Sequence, residues 1–162
     1  MVIRVRGYLP TDRAFITEIV KRLSGFDLPA WRTAEQIDTT NVSAMMNAMD
    51  QSEPDSAILV AEHVGDGAEG QPVGFMRLQT QTDYFTGEKQ GYIANIAVDK
   101  AFEGKGIGGM LMETAEKWAE EKGYALVTLH VFVENERALK LYEKKGYRPD
   151  IIKYVKALNP DS

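Results

Sequence analysis

"EGKGIGG", residues Glu103–Gly109, places four glycines in seven residues between an apolar run, "YIANIAV" (Tyr92–Val98), and a helical pattern. A glycine-rich loop that opens a helix lets backbone N–H groups approach an anion, and the helix dipole adds to the attraction. Three ligand classes use such a loop. The P-loop pattern G-x-x-x-x-G-K-[ST] fails, because Gly106 rather than Ser or Thr follows Lys105. The dinucleotide pattern G-x-G-x-x-G is matched by Gly104, Gly106 and Gly109. However, "DKAFE" (Asp99–Glu103) separates it from its strand, and too little chain follows for a nucleotide-binding half sheet. A pyrophosphate lying across the helix N-terminus is the third possibility, and the residues further along the chain decide it.

Outward from the loop, the elements read as follows. "YIANIAV" is nearly continuous in apolar residues, the mark of a strand buried on both faces. After the loop, Ile107, Met110, Leu111, Thr114, Ala115 and Trp118 form one stripe, with Glu113, Glu116, Lys117 and Glu120 opposite; Gly123 ends the helix. "ALVTLHVFV" (Ala125–Val133) predicts the next strand, and Asn135 caps a helix that Gly146 closes. "YRPDIIKYVKAL" (Tyr147–Leu158) predicts one bent strand or two short ones.

Upstream, "VIRVRGY" (Val2–Tyr8) alternates as a strand does. Thr11 is placed to cap a helix with Phe15, Ile16, Ile19, Val20 and Leu23 on one face. "TAEQ" (Thr33–Gln36) is a capping box that opens a second helix, whose Val42, Met45, Met46 and Met49 form a core stripe. "SAILVAEH" (Ser56–His63) and "PVGFMRLQTQ" (Pro72–Gln81) are strands joined by an exposed hairpin, "VGDGAEGQ" (Val64–Gln71). The order βααβββαβαβ predicts a mixed α/β sheet covered by helices.

Composition narrows the function. A chain of 162 residues suits one domain, 1–162. With a net charge of −5 it lacks the basic balance of a nucleic-acid binder. The absence of cysteine excludes disulfides, thiolate metal sites and a cysteine nucleophile, and suits a reducing compartment. The two histidines lie far apart, so no metal is expected. "MVIRVRGYLP" has no apolar core of signal-peptide length, and no run reaches the roughly 18 apolar residues of a membrane span. A cytoplasmic protein is expected.

"NERALKLYEKKGY" decides between the ligand classes. Asn135 and Tyr142 stand seven apart, two turns along one helix face. With "EGKGIG" upstream and Gly146–Tyr147 downstream, the chain resembles the GNAT superfamily of N-acetyltransferases. That family pairs a Q/R-x-x-G-x-G/A loop after a central strand with a later N-x-x-A-x-x-x-Y helix. The resemblance covers roughly residues 56–158; the two early helices match only in position and number. It implies a mostly antiparallel sheet of 6–7 strands flanked by about four helices. It also implies acetyl-CoA as co-substrate and direct attack of a primary amine on the thioester in a ternary complex.

Residue by residue, the resemblance implies that Gly104, Lys105, Gly106, Ile107, Gly108 and Gly109 hold the pyrophosphate, with Asn135 also touching the coenzyme. A side chain at Gly106 or Gly108 is then expected to collide with the pyrophosphate. Ile96, Ala97 and Val98 offer strand backbone to the pantetheine arm, as an added strand would use it. Tyr142 protonates the leaving thiolate; a phenol with an ordinary pKa of about 10 still carries its proton at neutral pH. The general base is open. His130 is the one titratable side chain on "VTLHVFV" and shares a face with Thr128, whereas a water chain is the other candidate. Trp31 and Tyr84 are candidates for an amine pocket through cation–π contact.

One departure stands out: Glu103 occupies a position usually held by Gln or Arg. A small-molecule or peptide amine is the expected acceptor, without nucleic acid or membrane, and a homodimer is left open. A non-catalytic acyl-CoA-binding or sensing module on the same fold is the alternative.

Overall fold

The computed structural model describes residues 1–65 and 70–159; the tip of the expected hairpin "VGDGAEGQ" lies outside the described residues. Five strands form one sheet in sequential order among them. They are β1 (Val2–Gly7), β2 (Ala57–Val64), β3 (Gln71–Thr82), β4 (Lys89–Val98) and β5 (Val127–Leu129). β1 to β4 pair antiparallel, and β5 joins β4 in parallel. Helices α1 (Arg13–Ile19), α2 (Ala34–Asp50), α3 (Ile107–Glu121) and α4 (Glu136–Lys144) complete the described elements, with short 3-10 turns between them.

The sheet separates two apolar layers. On one face, Ile16, Ile19 and Val20 of the first helical segment and Met45 of α2 pack on Val60, Phe75 and Ala97. On the other, Ile107, Leu111, Met112 and Ala115 of α3 cover Val73, Met76, Leu78 and Ile93, with Leu141 and Tyr142 of α4 against the same cluster. Each fully buried Ile, Leu or Met side chain contributes about 1.5–3 kcal/mol, so the helical stripes fix which face each helix covers. Met112 takes the buried place in α3 that the sequence pattern gave to Met110, and Met46 is left exposed on α2. The capping box forms as expected, with Gln36 N donating to Thr33 Oγ1 at 3.1 Å and Thr33 N to Gln36 Oε1 at 2.9 Å. Asp12, not Thr11, secures the first helical segment: its carboxylate accepts from Leu9 N at 2.8 Å and pairs with Arg6.

Two expectations about the sheet are corrected. The strand expected over 125–133 is confined to Val127–Leu129. The strand expected over 147–158 is absent: Ile151, Ile152, Tyr154 and Leu158 are exposed, and the segment has no regular structure. Five strands among the described residues therefore stand where 6–7 were expected. A strand exists only in its pairing, and the short β5 offers a three-residue edge.

Candidate active site

The glycine loop starts where β4 ends. Asp99 turns the chain, its N–H donating to Val73 O at 2.7 Å and its carboxylate accepting from Ala101 N at 3.0 Å. Gly104 and Gly106 then adopt φ of +75° and +79°, a left-handed backbone that costs a side-chain-bearing residue energy. Gly106 is the N-cap of α3 and supplies no side-chain acceptor. The amides of the first turn therefore remain available, at the positive end of the helix dipole. Gly108 and Gly109 are glycines for a different reason. A Cβ at Gly108 would stand 3.1 Å from Leu141 Cδ2, and one at Gly109 would stand 2.5 Å from Lys145 Cε. Gly108 and Gly109 thus leave room beside α3 for Leu141 of α4 and for Lys145, which follows that helix. This contact brings the two sequence motifs together in space.

Glu103 faces two arginines. Arg137 of α4 pairs with it at 2.5 Å, and Arg22 from the 3-10 turn after α1 binds its other oxygen. The guanidinium groups of Arg137 and then Arg22 hold its carboxyl down at about 2. The acid that departs from the motif is therefore neutralised by residues far away in sequence. Arg22 also donates to the carbonyl of Val98 at the end of β4. Lys105 is exposed on the loop, and Asn135 caps α4 through Oδ1, which accepts from Ala138 N at 3.3 Å.

β4 and β5 diverge. Their ladder comprises Gly91–Val127, Tyr92–Thr128 and Ile93–Leu129 and goes no further. Beyond Ile93, β4 continues through Ile96, Ala97 and Val98 paired to β3 only. A bulge at this point, opposite Arg77 and Leu78, leaves Ala94 without a partner on β3. It lets Ile93 and Ile96 both face α3, while Asn95 turns to the opposite layer and accepts from Arg77 Nε at 2.8 Å.

His130 follows β5 directly, exposed at the divergence, with Nδ1 2.9 Å from the Tyr92 hydroxyl. Burial raises the Tyr92 phenol above its ordinary value, against the pull of Arg77. Tyr142 lies on the α3 side, packed on the same cluster as Ile96, and burial raises its phenol too. Tyr147, with ring centroid 6.3 Å from that of Tyr142, is raised to about 12, chiefly by burial.

The two aromatic candidates for the acceptor differ. Trp31 lies in the segment 25–33, which reaches the end of β5: Phe26 is 5.5 Å from the Phe132 ring, and Arg32 lies 5.1 Å over it. Tyr84 is almost fully exposed at the β3–β4 turn, against Phe85. It stands past the Thr82–Lys89 pair, which is itself roughly 10 Å along the strand from the Gln79–Tyr92 pair, so the structure does not bring it to His130. Sequence reasoning missed Arg22, Arg77, Tyr92 and Arg137. Only Tyr92 carried a signal, as a polar-tipped residue in an otherwise apolar strand. Among the described residues, no three His, Asp or Glu side chains are grouped to hold a metal. No helix of the described residues is long and apolar enough to cross a membrane.

Comparison with known proteins agrees with this geometry. Residues 18–147 match the model of the acetyltransferase (GNAT) family. An uncharacterized N-acetyltransferase, YdgE of Bacillus subtilis, is 33% identical over 90 residues, 56% of each chain, so the match spans little more than half of that relative. The fold superposes on AAC(6')-Iy in complex with the bisubstrate analogue CoA-S-monomethyl-acetylneamine, with TM-score 0.68 and 18% identity over 97% of this chain and 99% of that one. It likewise superposes on the ribosomal-protein-alanine N-acetyltransferase of Brucella melitensis, with TM-score 0.67 and 20% identity over 97% and 100% of the two chains.

Proposed function

The chain belongs to the acetyltransferase (GNAT) family, and from that premise we propose that it transfers an acetyl group from acetyl-CoA to a primary amine by direct attack in a ternary complex. The observation that carries the reading is the meeting of the glycine loop and α4 beside the divergence of β4 and β5. The residues fit the coenzyme. The first-turn amides of α3, uncapped by any side chain at Gly106, suit a pyrophosphate. The part of β4 that β5 leaves unpaired suits an extended amide-bearing arm. The Val98 carbonyl would then exchange Arg22 for that arm.

Acetyl-CoA, when bound, supplies the acetyl group as a thioester. The chain's residues divide the proton work. His130 takes the proton that the amine loses on attack: with Nδ1–H donating to the Tyr92 oxygen, Nε2 keeps its lone pair for the amine. A β4 amide at Ile96 steadies the developing oxyanion. Tyr142, kept protonated by burial, gives its proton to the departing sulfur. The amine enters between the 25–33 segment and the end of β5. The whole described chain, 1–65 with 70–159, serves as one catalytic domain.

The test is release of free thiol from acetyl-CoA against a panel of amines, with mass detection of the acetylated product. Coenzyme binding without turnover on any amine would replace this reading by the sensing module.

A further inference from the structure

Level with the divergence of β4 and β5, the sheet carries a cation that the chemistry above does not use. Arg77 is half-buried on β3, on the sheet face that carries α1 and α2, and lines a cavity of about 310 Å³ with Tyr8, Met49, Ile58 and Gln79. Its Nε–H donates to Asn95 Oδ1 at 2.8 Å. No carboxylate of the described residues lies within ion-pair distance of it, whereas Arg6 and Arg13, also partly buried, hold two and one respectively. Glu53 borders the same cavity, but it is exposed and acts on Arg77 only at longer range. Burial lowers the Arg77 guanidinium below the ordinary arginine value, with Glu53 and Tyr92 opposing. A half-desolvated guanidinium has five N–H donors and gains most from a planar anion that accepts two of them. An amide oxygen on Nε leaves the terminal nitrogens for such a partner.

The position of this group matters more than its charge. Arg77 is opposite Asn95 in the β3–β4 register, and Tyr92 is opposite Thr128 in the β4–β5 register. His130, two residues beyond Thr128, therefore flanks the same stretch of β4 from the other side. Where the ladder is intact, β3 and β5 are two strand spacings apart, roughly 10 Å between backbones; His130 lies just past its end, held to the Tyr92 hydroxyl at 2.9 Å on the sheet face that carries Arg77. A small molecule can span that gap with one end at each.

We propose that Arg77 binds an anionic group on the acceptor, so that the substrates are small amines carrying a carboxylate or phosphate a few bonds from the nitrogen. The anion sits in the cavity on the terminal nitrogens of Arg77, and the amine points past Asn95 toward His130. Asn95 is a positioning residue, fixing the plane of the guanidinium through Nε. This inference rests on the acetyltransferase reading given above, since it names the substrate class of that site.

The experiment compares matched amines that differ only in the anion: several amino acids against their amides, and amino sugar phosphates against the unphosphorylated sugars. Each is measured by thiol release and, independently of turnover, by calorimetric binding to the protein. The amino acid amides are the less basic amines and have more free base at neutral pH, so a preference for the acids cannot come from amine ionisation.

Wild-type protein is expected to favour the acid or phosphate of each pair, the two arms showing which anion fits. Arg77→Met should remove that advantage, raising KM and weakening binding of the anionic member about 10- to 100-fold, the value of a charged hydrogen-bonded contact. It should leave the neutral member unchanged. Arg77→Lys should retain part of the preference. Equal binding and turnover of anionic and neutral partners by wild-type protein would overturn the proposal, even if Arg77→Met fails to fold. So would a folded Arg77→Met that loses both members equally. Failure of the acetyltransferase reading looks different: no thiol release with any amine, while calorimetry still reports on the anion.

Discussion

Alanine substitutions along the glycine loop separate backbone conformation from packing. At Gly106 an added Cβ meets nothing within 4 Å, so crowding predicts no cost. The backbone predicts otherwise: φ is +79° at this N-cap, where an L-residue pays about 1–2 kcal/mol. For a chain of this size that is a fall in Tm of roughly 2–8 °C. At Gly109 the contacts are much closer, 2.5 Å to Lys145 Cε and 2.8 Å to its Nζ, yet these atoms end a flexible side chain. Moving them breaks the Lys145–Glu113 pair, 3.0 Å long and with Glu113 62% exposed, which is worth at most about 1 kcal/mol. Alanine in the helix returns about 0.5–1 kcal/mol. Gly109→Ala should therefore destabilise by no more than about 0.5 kcal/mol, despite the shorter contact. Urea and thermal unfolding of both variants give the ranking. A Gly106→Ala protein as stable as wild type, or a Gly109→Ala protein less stable than Gly106→Ala, would refute this assignment of roles to the glycines.

Three further outcomes are expected. Tyr142→Phe should keep its affinity for acetyl-CoA in calorimetry and lose about 10²–10⁴-fold in kcat, because only the proton to the leaving sulfur is withdrawn; unchanged kcat would reduce Tyr142 to a packing residue. His130→Ala should abolish the low-pH limb of kcat/KM for the amine, measured with acceptors of different basicity so that the enzyme's limb stays fixed among them. Tyr92→Phe should lower kcat/KM less, since it removes only the group that orients the imidazole; a limb that survives His130→Ala would mean the proton leaves through water. Glu103 has a folded-state value of about 2, below its ordinary value of 4.5, so its stabilising effect is complete above pH 4.5 and is lost as pH falls through about 2. Glu103→Gln should flatten the acid side of the stability profile over that window. Arg137→Ala, which strips the Glu103 carboxylate of one partner, should raise KM for acetyl-CoA, and adding Glu103→Gln should reverse that rise.

What was legible in the sequence was local. The capping box at Thr33–Gln36, the cap at Asn135 and the glycine stops depend on residues a few positions apart and fold as their spacing says; the helical stripes do so apart from Met46, which is exposed, and Met110, whose buried place Met112 takes. The expected last strand failed because it requires a partner. Its alternation would suit a sheet, but the extent of β5 is set by where β4 and β5 part, and that depends on a register no single strand encodes. The bulge at Ala94 is of the same kind. A reading of "YIANIAV" by simple alternation puts Ile93 and Ile96 on opposite faces, whereas the structure puts both toward α3 and turns Asn95 to Arg77.

Glu103 shows why a motif's departures are the hardest part to read. Taken alone, a carboxylate beside an expected pyrophosphate argues against the site, because like charges repel and nothing nearby in the chain offsets it. Lys105 is the obvious neighbour to do so, yet it is exposed and forms no ion pair among the described residues. The compensation comes from Arg22, 81 residues before Glu103, and from Arg137, carried in by the same α3–α4 approach that Gly108, its Cβ position only 3.1 Å from Leu141 Cδ2, leaves room for. The two observations are linked. Small residues at the start of α3 bring α4 close, and α4 then delivers the arginine that makes an acid tolerable at the mouth of the loop. The departure at Glu103 and the glycine at Gly108 belong to one solution, in which charge balance follows from helix packing rather than from the loop's own residues.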